Sequence, residues 1–351
     1  LQGIKTLVKC HDIYNSEKLH YLGFMIAPMM MSAGWDFLQT YPDELEKVQW
    51  TQCQQAASKW LVEPEYVATI VRPVSDSASE PYKPYELPAG EVVAHFDTVS
   101  FATLDLSQGY PVVYPQTDSV SFELDDRAEY HYEVLQNGLT VIIKSNPDTR
   151  VFAMNVIGKG RTASEPEGKA GITDFVNRCI EKGTLTRDAS ELSRDLSKIG
   201  ANVTLYDNPW IPYDDRYTSR RFSFMKFETI DEFAEKGFHV FTEMILHPSF
   251  DSTEVENVRR SMMGVLGRAG GSTSKVARDL FYSTLFEGKV YAEAIMGSPR
   301  TLGSITVEDL KAHHASYYSP GNIVLSIVTN KRVEQIKEWV DTRFGRLSYP
   351  A

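Results

Sequence analysis

The stretch Gly168-Lys-Ala-Gly-Ile-Thr-Asp-Phe-Val-Asn-Arg-Cys-Ile-Glu-Lys-Gly-Thr184 decides how the rest of the chain is read. As a helix it sets Ile172, Phe175, Val176, Cys179 and Ile180 on one side, which is the i, i+3, i+4, i+7, i+8 spacing of a buried face. The other side carries Asp174, Asn177, Arg178 and Glu181. Lys182 falls in the last turn, where the helix dipole favours a cation, and Gly183 stops the helix as a left-handed cap does.

Upstream of this helix the pattern is that of strands. Tyr130 to Val134, the turn Asn137-Gly138 and Leu139 to Lys144 read as strand, tight turn and strand. Arg150 to Ile157 is a third strand, ended by Gly158-Lys-Gly160. Downstream, Asp188-Ala-Ser-Glu191 has capping-box spacing and opens a helix that closes at Gly200. Asn202 to Tyr206 and Ser219 to Phe227 are strands, joined through the aromatic, acidic loop Asp207 to Asp215. Helices follow over 229–246, 252–268, 275–286 and 306–318, then the strand Ile323 to Val328 and a last helix over 333–344. The order β-β-β-α-α-β-β-α-α-α-α-β-α predicts an α+β fold, one twisted mixed or antiparallel sheet with helices packed mainly on one face.

The first 127 residues differ. Residues 1 to about 40 read as helical, with a methionine-rich stretch, Phe24 to Met31, kinked at Pro28. A second helix is expected to open at Pro42, which suits a first helical position, with an inner stripe of Leu45, Val48, Cys53, Ala56, Ala57 and Trp60. Tyr66 to Val71 reads as a strand. From residue 74 to 127, prolines scatter among Ser, Asp and Glu, as in an extended connector.

With 36 basic and 47 acidic residues the formal net charge is −11. A nucleic-acid partner or an anionic lipid surface would need a basic face, and the chain does not carry one on balance. Basic or neutral peptides remain compatible. No apolar run is long enough to span a bilayer, so membrane insertion is not expected; the richest run, Leu22 to Met31, is broken by Pro28. The three cysteines, Cys10, Cys53 and Cys179, are spaced for neither a zinc motif nor a disulfide framework. Adjacent His313 and His314 cannot share one helix face and so cannot share a metal.

The central frame Gly-Ile-Thr-Asp-Phe-Val-Asn-Arg-Cys-Ile-Glu-Lys-Gly-Thr resembles the active-site helix of the insulinase/pitrilysin-type zinc metallopeptidases, the inverzincins, which reads roughly Gly-Leu-Ala-His-Phe-Leu-Glu-His-Met-Leu-Phe-Lys-Gly-Thr. Further matches occur in order: Asn137 to Val141, His247 to Asp251 with Glu254-Val-Glu256, Tyr291 to Arg300, Ile305 to Leu310, and Tyr317 to Asn322. Together they cover about residues 130 to 350. The resemblance implies three segments. Residues 1–73 are similar to the end of a preceding subdomain, 74–127 form a proline-rich linker, and 128–351 are the first subdomain of a following half. The chain then reads as a piece of a longer protein, either cut out or processed.

The resemblance supplies the frame and not the chemistry. A zinc peptidase needs two imidazoles one turn apart, a third carboxylate ligand, and a carboxylate base for the bound water. Asp174 stands at the first histidine position, Asn177 at the base position and Arg178 at the second histidine position. The distant ligand position falls on Glu256, or on Glu254 if the alignment slips. Asp174 and Glu256 can ligate a metal; Arg178 stays protonated and repels one, and Asn177 has no titratable proton. The expected replacement is ionic: Arg178 held between Asp174 and Glu256 where zinc would lie.

No catalytic residue and no cofactor are expected in this region. Zinc would sit in a catalytic half outside the chain. The first functional reading is the non-catalytic half of an insulinase-like peptidase, a wall of the chamber that holds unfolded peptide or a small protein. The alternative is a catalytically dead peptide-binding or structural subunit paired with an active partner. A variant metal site formed by Asp174, Glu256 and another donor is the third reading. By resemblance, the compartment is a bacterial periplasm or envelope, or an organelle.

Overall fold

The computed structural model describes residues 1–17, 19–61, 130–206, 219–269 and 272–347. The strand expected over Tyr66 to Val71, the connector 74–127 and the loop Asp207 to Asp215 therefore lie outside the described residues. The chain divides into two compact units, residues 1–50 together with 128–351, and residues 51–127.

The larger unit opens with three helices, α1 (Gln2–Glu17), α2 (Leu19–Ala33) and α3 (Trp35–Lys47). A further helix, α4 (Trp50–Trp60), falls almost wholly in the smaller unit. The expected helix start at Pro42 is corrected: Gly34 caps α3 with φ 84° and Pro42 lies inside the helix. The stripe drawn from Leu45 to Trp60 is broken as well, because Val48 turns extended, with φ −62° and ψ 131°.

The sheet has six strands: β1 (His131–Val134), β2 (Thr140–Ser145), β3 (Val151–Lys159), β4 (Asn202–Thr204), β5 (Phe222–Ile230) and β6 (Ile323–Thr329). Their spatial order is β1-β2-β6-β3-β5-β4. Only the β2–β6 pair is parallel. The last strand in sequence thus slots between the second and third, and completes the sheet from its middle.

Alternation fixes which face is covered. Val141 and Ile143, Met154 and Val156, Met225 and Phe227, and Leu325 and Ile327 are all buried and lie opposite one another in register, and Phe152, opposite Thr229, is buried with them. Their neighbours on β2 and β3 are mostly half-buried, the period-2 signature of a sheet with one packed face. Against this apolar face pack α5 (Ile172–Ile180), α7 (Ala234–Leu246) and α12 (Val333–Phe344). The predicted α+β class holds.

Between them run α6 (Ala189–Lys198), α8 (Ser252–Ala269), α9 (Thr273–Leu285), α10 (Pro299–Ser304) and α11 (Val307–Tyr317). The capping box expected at Asp188 and Glu191 is formed. Helix α10 is additional, six residues opened by a second box, Ser298 with Thr301. It is short enough to show no periodicity. No described helix is long and apolar enough to cross a membrane.

Helix α1 docks on the sheet side of α6. Cys10, Ile13 and Tyr14 bury against Ile230, and the Tyr14 hydroxyl donates to the Gly200 carbonyl at 3.0 Å. Gly200 has φ 56°, and a Cβ there would lie 2.3 Å from the Cys10 sulfur. The contact therefore needs both the left-handed backbone and the missing side chain. Gly200→Ala is expected to cost about 3 kcal/mol, strain and clash together. The check is urea unfolding, with loss of Tyr14 burial reporting release of α1.

Candidate functional site

Helix α5 is set in place at its start. Gly171 has φ 89°, and a Cβ on it would come within 2.6 Å of the Met296 carbonyl, so the chain before α5 lies backbone against backbone on residues 296–297. Glu165 then reaches back over the helix end. Its two carboxylate oxygens accept from the N–H groups of Gly171 at 2.9 Å and Thr173 at 3.1 Å. This answers two of the donors that a helix start leaves open. Burial pushes the Glu165 carboxyl up to about 6, against those donors and Arg161, which pull it down.

The apolar side of α5 is as the spacing predicts: Ile172, Phe175, Val176, Cys179 and Ile180 are buried. The polar side is buried as well: Thr173, Asp174, Asn177 and Arg178 are all covered. They do not face solvent; other elements cover them. Such groups are tolerated in the interior only when hydrogen-bonded or paired.

Asp174, 1% exposed, lies between two guanidiniums. Arg178 Nε donates to one of its oxygens at 2.7 Å and Arg161 Nη2 to the other at 3.2 Å. Arg161 enters from the residues just after β3, behind the Gly158-Lys-Gly160 break, and is itself 1% exposed. Asn177 donates from Nδ2 to the Leu205 carbonyl at 2.8 Å and accepts from the Tyr318 hydroxyl. Complete burial pushes the Tyr318 phenol up, so it remains a donor. Thr173 Oγ1 and His313 Nε2 lie 2.9 Å apart. His314 faces elsewhere, its Nε2 at 2.7 Å from the Ile245 carbonyl.

The bridge expected across Arg178 forms on one side only. Glu256 does not approach: its side chain is 58% exposed and pairs with Arg259 at 2.9 Å, one helical turn on. Arg259 is pinned by carbonyls, donating to Ile305 O at 2.8 Å and to Leu302 O, and so keeps Glu256 out. Of the two acids expected at the distant position, Glu254 is the one that lines a cleft with Arg178, along with Glu181. The second partner of Asp174 is Arg161, which no helical spacing could reveal. Its signal was its place immediately after a strand break that points at the helix.

Zinc does not fit these residues. Arg178 fills the second imidazole position with a cation, Asn177 is held by two hydrogen bonds and carries no proton to give, and Glu256 is turned away. Among the described residues no cluster of three His, Cys, Asp or Glu side chains is placed to hold a metal.

Two family models match the chain, Insulinase (Peptidase family M16) over residues 140–298 and Peptidase M16 inactive domain over 304–351. An uncharacterized zinc protease of Bacillus subtilis is 27% identical over 62% of this chain and 49% of its own length. A probable mitochondrial-processing peptidase subunit beta of Arabidopsis thaliana is 23% identical over 63% of this chain and 39% of its own. The chain thus spans about half the length, or less, of these relatives. Among solved structures, the peptidase M16 inactive domain from Pseudomonas fluorescens superposes with a TM-score of 0.56 at 17% identity, covering 64% of this chain and 52% of that one. At that identity the likeness speaks for the fold.

Two outcomes follow from the buried network. Asp174→Asn leaves two interior guanidiniums without their shared carboxylate, and should cost about 3–5 kcal/mol in urea unfolding. The second concerns acid. Burial pushes His313 down to about 4 from an ordinary 6.5. The folded state then binds fewer protons than the unfolded one between these values, so stability present above 6.5 is lost as pH falls toward 4, on the order of 3 kcal/mol. Glu165, raised to about 6 from 4.5, works the other way, since acid relieves its penalty. His313→Gln should flatten the acid limb of stability against pH, and Glu165→Gln should steepen it.

Proposed function

We infer the role of this chain from a plain premise: its residues 140–351 belong to the insulinase family of peptidases. We propose that this region is a non-catalytic half of such a peptidase, a wall of the chamber in which a peptide is cut. The observation that carries the reading is the buried Arg161–Asp174–Arg178 array. It occupies the turn that would have to present two imidazoles and a base. In this reading the zinc and its His-x-x-Glu-His helix sit in a catalytic half outside the chain. In the same reading residues 1–73 would close a preceding subdomain, although residues 1–50 pack in one unit with 128–351, and 74–127 would connect the halves.

The wall would hold its substrate by strand addition. Among the described residues β4 is an edge of the sheet, with Asn202 and Thr204 exposed, and it runs directly into Leu205 and Tyr206 beside α5. An extended peptide laid on that edge would pass the cleft at Arg178. The acidic balance of the chain, −11, favours unfolded basic peptide.

A specific observation favours the alternative, a dead subunit that pairs with an active one. The Arabidopsis relative is itself described as a subunit. Both readings place catalysis elsewhere and differ in whether the partner is on the same chain.

The test is a labelled, unfolded basic peptide mixed with the 351-residue chain, with and without added zinc. Binding by fluorescence anisotropy without cleavage is the expected result in both conditions. Cleavage that requires zinc and disappears with a chelator would overturn the proposal, and so would failure to bind.

A further inference from the structure

Helices α1, α2 and α3 form a cavity of about 640 Å³ between them. Its walls follow helical spacing. α1 contributes Lys5, Val8, Lys9 and Asp12, an i, i+3, i+4, i+7 face, and α3 contributes Trp35, Leu38 and Leu45. Ile26 and Met29 of α2 line it as well. The volume falls in the range of small-molecule sites, about 300–1,000 Å³, and the lining is mostly apolar, as theirs is. Trp35 is 51% exposed and Met29 37%, so part of this apolar wall faces solvent.

Both lysines of the cavity are engaged. Lys5 is buried and donates to the Glu46 carbonyl at 2.5 Å, which answers the C-terminal end of α3. Lys9 is paired with Glu232 at 2.6 Å. The acids differ. Asp43 acts on Lys47, which Glu44 holds at 2.6 Å. Glu46 is a poor place for a cation, since the Lys5 ammonium sits on its main chain. The Asp12 carboxylate is exposed at the cavity and has no hydrogen-bond or ion-pair partner among the described residues. It lies two helical turns from Lys5, about 10 Å along α1. The one charge of the lining that is both accessible and unanswered is therefore negative.

We propose that this cavity binds an amphiphilic amine, a small molecule with an apolar body and one protonated amino group. The body covers Trp35, Met29 and Leu38, and the ammonium lies at Asp12. The two gains are separate. Covering the apolar wall removes it from water and supplies most of the affinity. The charge-assisted hydrogen bond to Asp12 sets the preference for a cation. A carboxylic acid of the same length would bring its charge against Asp12, with Asp43 and Glu46 lining the same space. One ionic contact and an apolar wall suffice, and no second fixed charge has to be spanned. The site lies on α1, α2 and α3, apart from α5 and β4, and stands whether or not the chamber-wall reading holds.

The experiment is a ligand-observed NMR titration of the 351-residue chain with n-octylamine, n-octanol and n-octanoate, each kept below its micellar concentration. The three share one apolar body and differ in head charge. Octylamine should bind about fivefold more tightly than octanol, the scale of an exposed ion pair, and octanoate most weakly. In about 1 M salt that preference should shrink, because the pair is screened, while octanol binding persists. Asp12→Asn, at an exposed position with no side-chain bond to lose, should make octylamine and octanol bind alike and leave octanol affinity and the thermal midpoint unchanged. Trp35→Ala should weaken all three about tenfold through lost apolar contact. The proposal is overturned if octylamine does not bind, if octanoate binds as tightly, if Asp12→Asn keeps the preference, or if Trp35→Ala leaves the affinities unchanged. None of these readouts uses peptide binding or cleavage, so failure here is distinct from failure of the chamber-wall reading.

Discussion

A helix that is buried all round cannot keep charge inside unless every charge is answered, and α5 is such a helix. Asp174, Asn177 and Thr173 are each answered from a different place in the fold. Asp174 is met by Arg161 from the end of β3, Asn177 by Leu205 from the end of β4 and by Tyr318 beyond α11, and Thr173 by His313 within α11. Glu165 closes the helix start from the preceding loop. These contacts fix the rotation of α5 and tie it to two strands and a distant helix. A purely apolar cylinder would pack with more freedom. A buried ion pair is a weak source of net stability, because desolvation offsets attraction. Its role here is to make one arrangement of α5 much better than its neighbours.

That requirement explains why these residues come as a set. Arg178 needs a carboxylate within reach, and Asp174 one turn earlier provides it in the favourable order. Asn177 suits a position between a carbonyl and a phenol because an amide both donates and accepts. A glutamate there would meet the Leu205 carbonyl with a second acceptor. The distant acid is relieved of any ligand role, since Arg259 engages Glu256 on the outer surface of α8. The residues form a self-consistent packing solution.

The elements were legible because most follow a period. Apolar spacing located α5, the capping box at Asp188 located α6, and Asn137-Gly138 located the first hairpin. What escaped was set by tertiary contact. Spacing placed Asp174, Asn177 and Arg178 on one side correctly, but a polar stripe reads as solvent-facing unless its covering residues are known. Those residues, Arg161, Leu205 and Tyr318, are remote in sequence. The Arg178–Asp174 pair was readable because it is local; its extension to Glu256 was not, because a nearer arginine on the same helix wins the competition for that acid. Pro42 misled for a related reason: it suits a helix start, but α3 already begins after Gly34 and runs through it.

The topology adds a last constraint. β6 lies between β2 and β3, so the sheet stays divided until the end of the chain arrives. Helix α11 leads into β6 through Tyr318, and it carries the groups that meet Asn177 and Thr173. Completion of the sheet and closure of the polar network around α5 are therefore one event in the assembly of this fold. Without α11 and Tyr318 in place, Thr173 lacks His313 and Asn177 keeps only the Leu205 carbonyl. This gives α5 a structural reason to keep its polar residues. An apolar substitute at Asn177 would leave the Tyr318 hydroxyl and the Leu205 carbonyl without that partner, in the interior where a lost hydrogen bond is most costly.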